Sequence, residues 1–426
     1  MRFDLARRSL LAALLTVGSA FAGGCSLAAD TDVEEEEVAA SEDAIVDIDN
    51  SRVKRQSIGN CWLYATASWA ESIAKQVPGA YEVNMSESYW TYWHWFDQIA
   101  NGSTTEEIST GGWYATAAEI IARYGVMYEG SFIPSEASAE MSLRQKTALD
   151  TMNASLKTGA LSTPEARRDR VLVRKELDKA FQLAPNVVTQ LNRVFGTGVT
   201  RTLDRSTVST RFTSIRRASD IKVRLPDPDT KQPVTVSLQD AIGTRSSSYW
   251  TRTGRYAWQM TSYPSSSWST TARRSMLARV QKAMHDKQPV IMSWYVDFNA
   301  LDPQGRFAAP PETPGRQGGH MVVVEDYQIN DVPGFGTLKA GVLETRPEAL
   351  QAALSPSAKI EFIRIKNSWG SYRPDREFVL PGYHDLYMKY LDGPVKHCTQ
   401  KDDDTGSTDD CRDDTPLNDF VLPAGY

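Results

Sequence analysis

The chain has 426 residues, an apolar content of 41% and a formal net charge of −6, enough for one large or two ordinary domains with a substantial core. The charge is uneven: residues 26–50 hold ten acids and no base, residues 396–426 hold eight Asp against Lys396, Lys401 and Arg412, and the body over 51–395 is mildly basic. The body's arginines are scattered over 165–255 outside any recognisable nucleic-acid module, so they read as a solvated surface and no nucleic-acid partner is expected.

Residues 1–25 read as an export signal. Arg2, Arg7 and Arg8 form a positive start, and Leu10 to Val17 form an apolar core too short to span a bilayer. Ala22-Gly23-Gly24-Cys25 resembles a bacterial lipoprotein processing site, in which Cys25 is acylated and becomes the first residue. Leu is usual where Ala22 stands, so plain cleavage is the alternative. Arg7-Arg8-Ser9-Leu10-Leu11 also resembles a weak twin-arginine signal. Membrane attachment is expected only through Cys25, at the bacterial cell envelope, with secretion as the other outcome. Residues 26–50, with Glu34 to Glu37, read as an acidic disordered linker, too short for a folded inhibitory propeptide.

In Gln56-Ser57-Ile58-Gly59-Asn60-Cys61, Gly and Asn make a turn and Cys61 opens a helix. Trp62, Ala65, Trp69 and Ile73 share one face, and Pro78-Gly79 ends the run. Ser86 is a candidate N-cap for an aromatic helix through Trp90, Trp93, Trp95 and Phe96, read as core. Gly111-Gly112 lets backbone run close to a strand or a ligand, and a helix through Ile120, Ile121 and Tyr124 stops at Gly125. Residues 137–270 read as an insertion, first helical (Pro164 as a start; Leu172, Val173, Leu177 and Phe181 in phase), then Ser/Thr/Arg-rich with short strands such as 234–238. Beyond it come a helix over 272–285 and strands over 290–296, 321–327, 360–365 and 383–390. Helices first and strands later, without βαβ alternation, predict an α+β fold of two lobes. The near-copies Phe378 to Tyr383 and Phe420 to Tyr426 suggest a tail strand pairing beside its twin.

Of four cysteines, Cys25 has a processing explanation and Cys61 lies at a helix N-terminus, where the helix dipole favours thiolate. Cys398 and Cys411 are close in sequence, and an exported chain permits a disulfide between them; two free or metal-binding thiols are the alternative. No His pattern supports a metal, and no cofactor is expected. Thiol attack on an amide needs an ionised sulfur, a base, a group that orients the base, and donors facing the oxyanion. Cys61 is the candidate nucleophile. His320, after Gly318-Gly319 and before a valine run, is the candidate base, pairing with Cys61 as imidazolium beside thiolate. Asn367 orients His320, Trp369 shields that bond from water, and Gln56 with the Cys61 backbone N–H forms the oxyanion hole. Gly111 and Gly112 offer backbone hydrogen bonds to an extended peptide. His94, His285, His384 and His397 lack such a setting and read as core or surface.

Gln56, Cys61-Trp62, Gly111-Gly112, Gly319-His320 and Lys366-Asn367-Ser368-Trp369-Gly370, with Gly382-Tyr383 beyond, resemble the papain family of cysteine peptidases over roughly 51–135 and 275–392. Gly59 to Tyr64, Met85 to Tyr89, Tyr124-Gly125-Val126 and the helical insertion look closer to its bleomycin hydrolase branch. Gln56 precedes Cys61 by five positions, one fewer than is usual in that family. The resemblance implies a helical lobe carrying Cys61 and a β-barrel-like lobe carrying His320 and Asn367, meeting at a cleft within 51–395, with 396–426 as an acidic tail. It also implies peptide-bond hydrolysis of a peptide or protein substrate through a thioester. A catalytically inactive papain-fold protein that binds peptides or a partner is one alternative. A transglutaminase-like acyl transferase is another; those usually carry a carboxylate where Asn367 stands.

Overall fold

The computed structural model describes residues 50–426 with Ile45 and Ile48, apart from 81–82, 207, 209–212, 249, 266–268, 372–379 and 400–409. The export signal, Cys25 and the acidic stretch before Ile45 lie outside the described residues.

The helical lobe is built on α1 (Cys61–Lys75), α2 (Glu87–Ala100) and α3 (Tyr114–Tyr124). α1 is buried on nearly every face, not only along its Trp62–Trp69–Ile73 stripe. A helix buried on all faces belongs at the centre of a fold, and α1, even with Thr66, Glu71 and Ser72 buried, lies against both other helices and the main sheet. Ser86 caps α2 as expected, its hydroxyl accepting from the Tyr89 N–H at 3.1 Å. α3 ends at Gly125, whose φ of 73° a residue with a Cβ adopts only with strain.

The insertion continues this lobe. After the short α4 (Glu129–Phe132) come α5 (Leu143–Lys157), α6 (Pro164–Arg168), α7 (Arg170–Ala180) and α8 (Pro185–Phe195). The helix begun by Pro164 stops early because Asp169 breaks it: its carboxylate accepts from the Val171 and Leu172 N–H groups and caps α7. Leu156, Val173, Leu177, Phe181 and Phe195 then join Trp90, Trp93 and Trp95 in one core. The insertion ends in two small hairpins, β1 (Lys222–Pro226) with β2 (Pro233–Ser237), and β3 (Thr244–Arg245) with β4 (Arg252–Thr253), separated by α9 (Leu238–Ile242).

The second lobe is a seven-stranded antiparallel sheet behind α10 (Thr270–His285). Its strands are β5 (Gln259–Ser262), β6 (Val290–Asp297), β7 (Gln317–Val332), β8 (Gly336–Leu338), β9 (Lys359–Lys366), β10 (Tyr383–Tyr387) and, after the hairpin β11 (Val395–Thr399)–β12 (Asp410–Asp414), β13 (Leu417–Leu422). The order is β10-β9-β7-β6-β13-β5, with β8 beside β7. Strand alternation sorts the central residues: Ile291, Met321, Val323 and Val421 face the helical core, while Met292, Val322, Val324, Phe420 and Leu422 face the second core. The architecture is the α+β, two-lobed arrangement that the papain-like resemblance implies.

The C-terminal segment corrects one expectation. β13 does not lie beside its near-copy: it sits between β6 and β5, while Tyr383 opens β10 at the far edge of the sheet. Both faces of Phe420-Val421-Leu422 are apolar, and only a central place buries both. Cys398 and Cys411 face each other across β11–β12 and form a disulfide.

Candidate active site

The turn before α1 is held from two sides. Gly59 lies against Thr110: a Cβ there would come 2.7 Å from the Thr110 hydroxyl. The Asn60 side chain does not cap α1; it donates to Thr91 Oγ1 at 3.0 Å and Gln145 Oε1 at 2.9 Å. It therefore fixes the turn to α2 and α5 and leaves the first-turn N–H groups of α1 without a side-chain cap. Cys61 stands at that end, 8% exposed and the one cysteine outside a disulfide among the described residues.

His320 lies near the start of β7, paired in register with Trp294 of β6. Its Nε2 is 2.7 Å from Asn367 Oδ1. The Ser368 N–H also donates to that oxygen, at 2.7 Å, which fixes the amide orientation. Nε2 therefore carries the hydrogen, and Nδ1 is the nitrogen left for proton transfer. Trp369 stacks on the imidazole with centroids 4.8 Å apart and planes 24° apart, covering the bond as expected. Burial pushes the His320 pKa down to about 4, against the opposing hydrogen bond to Asn367. The imidazolium expected from the sequence is thus disfavoured by burial, and a neighbouring negative charge has to offset that.

Gln56 is tied to the opposite lobe. Its N–H donates to Ser368 O at 2.9 Å, its Oε1 accepts from Ser368 Oγ at 2.5 Å, and its Nε2 donates to Ile58 O at 2.8 Å. One Nε2 hydrogen remains for a further acceptor. Sequence reasoning gave Ser368 no role of its own beyond its place in the Lys366–Gly370 motif. Ser368 sets both amides at once: its N–H holds Asn367 and its hydroxyl holds Gln56. A polar residue beside Asn367 in a buried motif was the only available signal.

Two buried lysines join the lobes beneath. Lys366, next to Asn367, donates to Ser68 Oγ of α1 at 2.8 Å, which registers the Asn367 strand against the helix that begins at Cys61. Burial pushes its pKa down to about 8. Lys54 lies among Glu87 (2.8 Å), Glu129 (3.5 Å) and Glu71 (3.6 Å). Burial opposes its charge, but the three carboxylates outweigh that and hold its pKa well above the usual value.

The two glycines differ. A Cβ on Gly112 would come 2.4 Å from the Trp62 ring, whose Nε1–H donates to Thr110 O at 2.9 Å. Gly112 is therefore required by the residue after Cys61. Gly111 has only Ser109 Oγ in reach, at 3.8 Å, so its backbone borders open space. The structure thus joins Gln56 to Ser368, His320 to Asn367 and Trp369, and Gly112 to Trp62, the residue after Cys61. Cys398 and Cys411 lie apart in the disulfide hairpin, which abuts the start of β7 through the Cys398 N–H and Gln317 Oε1 at 3.0 Å. His94 is half-buried beside the site, its ring centroid 4.9 Å from that of Trp62 and its imidazole hydrogen-bonded to the Ser109 and Gly111 backbone, whereas His285 lies apart against the Tyr327 hydroxyl; burial pushes each down to about 4.

No family model matches the chain, and no curated protein sequence does. Solved structures do. It is similar to xylellain, a cysteine protease from Xylella fastidiosa, at 12% identity and a TM-score of 0.35 over 94% of each chain. It is similar to PepW from Lactobacillus rhamnosis at 11% identity and a TM-score of 0.40, over 89% of this chain and 81% of that one. It is also similar to the bromelain protease from Ananas comosus at 13% identity and a TM-score of 0.32, over 88% of this chain and 94% of that one. Likeness of this degree carries no argument about this chain.

Proposed function

We propose that the protein is an exported cysteine-type peptidase that hydrolyses peptide bonds through a thioester on Cys61. The observation that carries this reading is the Asn367–His320 hydrogen bond under Trp369, in a motif tied through Ser368 to the turn that begins the Cys61 helix. In this reading the Cys61 thiolate attacks the substrate carbonyl carbon. The oxyanion is met by the Cys61 backbone N–H and the second Nε2 hydrogen of Gln56. His320 protonates the leaving amine through Nδ1, leaving the thioester. It then takes a proton from water as the water attacks, and the acid leaves with the thiolate restored. Asn367 keeps the tautomer this requires. Gly111 and Gly112 pair with the backbone of an extended substrate.

Hydrolysis is favoured over amine transfer because the orienting group is an amide and not a carboxylate. The likeness of the Cys61 stretch and the helical insertion to the bleomycin hydrolase branch supports a kinship with that branch. Acylation at Cys25 would hold it at the bacterial envelope. The test is turnover of a mixed peptide library by the chain from residue 26 onward, with Cys61→Ser beside it. Cleavage that vanishes in Cys61→Ser with unchanged circular dichroism is expected; cleavage surviving the substitution would refute the assignment.

A further inference from the structure

Two of the largest side chains of the protein are left partly in solvent, and they touch. Trp113 is 43% exposed and Trp250 is 46% exposed. Their ring centroids are 5.5 Å apart with planes at 90°. Scattered exposed apolar residues are ordinary, but two indoles in contact at the surface form a patch. Trp113 directly follows Gly112, whose backbone lies on the ring of Trp62, the neighbour of Cys61. The patch is therefore continuous with the candidate cleft.

Trp250 comes from the other side, on the segment between β3 and β4 of the insertion. That hairpin is built to stay in place. Arg252, 2% exposed, donates to Ile242 O at 2.8 Å and Gly243 O at 3.1 Å, and forms an ion pair with Glu119 of α3. Thr244 and Thr253 hydrogen-bond across the two strands at 2.9 Å, and the Ser246 N–H donates to Thr251 O at 3.0 Å. The buried arginine thus fastens the hairpin to α3, the helix that Trp113 precedes. Two perpendicular indoles present one face and one edge, a corner that suits a flat or bulky apolar group.

We propose that the β3–β4 hairpin of the insertion makes Trp250 a specificity-determining residue. With Trp113 it forms an aromatic corner that receives an aromatic or large aliphatic side chain of the substrate, within a few residues of the bond held at Cys61. The occupant is the substrate itself, because the corner continues the Gly111–Gly112 edge along which an extended peptide would run. The inference rests on the peptidase reading for the word substrate, and on the aromatic corner alone for the binding of a peptide. It gives the insertion a role in selecting what enters the cleft.

The test separates the two readings. Cys61→Ser protein is titrated by calorimetry with acetylated tetrapeptide amides of an alanine host carrying Phe, Leu or Asp at each position in turn. At one position, Phe should bind at least about tenfold more tightly than Ala, and Asp no better than Ala. Trp250→Ala should erase most of that preference, and Trp250→Phe should keep it, with the thermal midpoint unchanged in both. An unchanged preference in Trp250→Ala, or no preference or no binding in the parent, overturns the proposal. Wild-type protein is given the same series in parallel. Hydrolysis without aromatic preference refutes the corner and leaves the peptidase reading intact. Selective binding with no hydrolysis and an inert Cys61 refutes the peptidase reading and leaves the corner standing.

Discussion

The ionisation of the Cys61–His320 pair is where two effects of similar size compete. Burial lowers the His320 pKa from 6.5 to about 4, which at about 1.4 kcal/mol per unit sets roughly 3 kcal/mol against the imidazolium. A thiolate placed about 4 Å from the imidazolium would return about 4 kcal/mol at an effective dielectric of about 20. The helix N-terminus adds about 0.3–1 kcal/mol in favour of the thiolate. Moving a proton from a thiol of pKa about 8.5 to an imidazole held near 4 costs about 6 kcal/mol in all, of which these attractions return about 4–5 kcal/mol, so the two forms lie within about 2 kcal/mol and the ion pair that the proposed mechanism needs stands or falls with His320. An ordinary thiol of pKa about 8.5 is roughly 0.3% ionised at pH 6. Alkylation of Cys61 by iodoacetamide, followed by intact mass, should be fast and nearly flat from about pH 8 to about pH 5 in the wild type. In His320→Ala it should fall on the order of a hundredfold at pH 6 and climb with pH as a free thiol does. A wild-type rate that already climbs tenfold per pH unit between pH 5 and 8 would show that burial wins and that the pair is neutral. In that case His320 would have to act as a base on a neutral thiol.

Three further outcomes follow from the geometry. Ser368→Ala removes the hydroxyl that Gln56 Oε1 accepts from, freeing the amide to turn. Turnover of a cleaved peptide should drop about tenfold with KM little changed, since an oxyanion contact acts mainly in the transition state. An unchanged kcat would mean that Ile58 O alone holds Gln56. Gly112→Ala should lower stability by about 1–3 kcal/mol in urea denaturation, because its Cβ would overlap the Trp62 ring, whereas Gly111→Ala should be close to neutral. Equal effects would show that the Trp62 contact does not set the glycine. Asp419 of β13 is buried, and its pKa is raised to about 6 by that burial. The folded state then binds its proton more tightly than the unfolded chain, so stability falls as pH rises from about 4 to about 6 and stays lower above. Asp419→Asn should raise the thermal midpoint at pH 8 and leave it unchanged near pH 3.5. A midpoint at pH 8 that does not rise would mean that the carboxylate is better solvated than its burial implies.

Much of the site was legible in the sequence because it is written in short-range signals. The turn before Cys61, the helix it opens, the Ser86 cap and the strands that carry His320 and precede Asn367 all follow from spacing, caps and hydrophobic period. The Asp169 break could also have been read, since Asp one residue before an apolar run is a capping signal. Other features depend on residues far apart in the chain. Ser368 and Gln56 are 312 positions apart, and neither segment's local pattern names the other. The same holds for the protonation state of His320, which is decided by burial between lobes that no local window contains.

The sequence by itself determined the chemistry on offer: one cysteine at a helix start, a histidine at a strand mouth, an asparagine after a strand, and a cysteine pair able to close a hairpin. Backbone period and capping act over a few residues, so these could be read directly. Only the tertiary structure decided what those groups meet. It placed β13 between β6 and β5, because only there are both its apolar faces buried. It brought Ser368 onto Gln56, and it carried Trp250 of the insertion to Trp113 beside the cleft. These are non-local packings, set by which surfaces can be buried together.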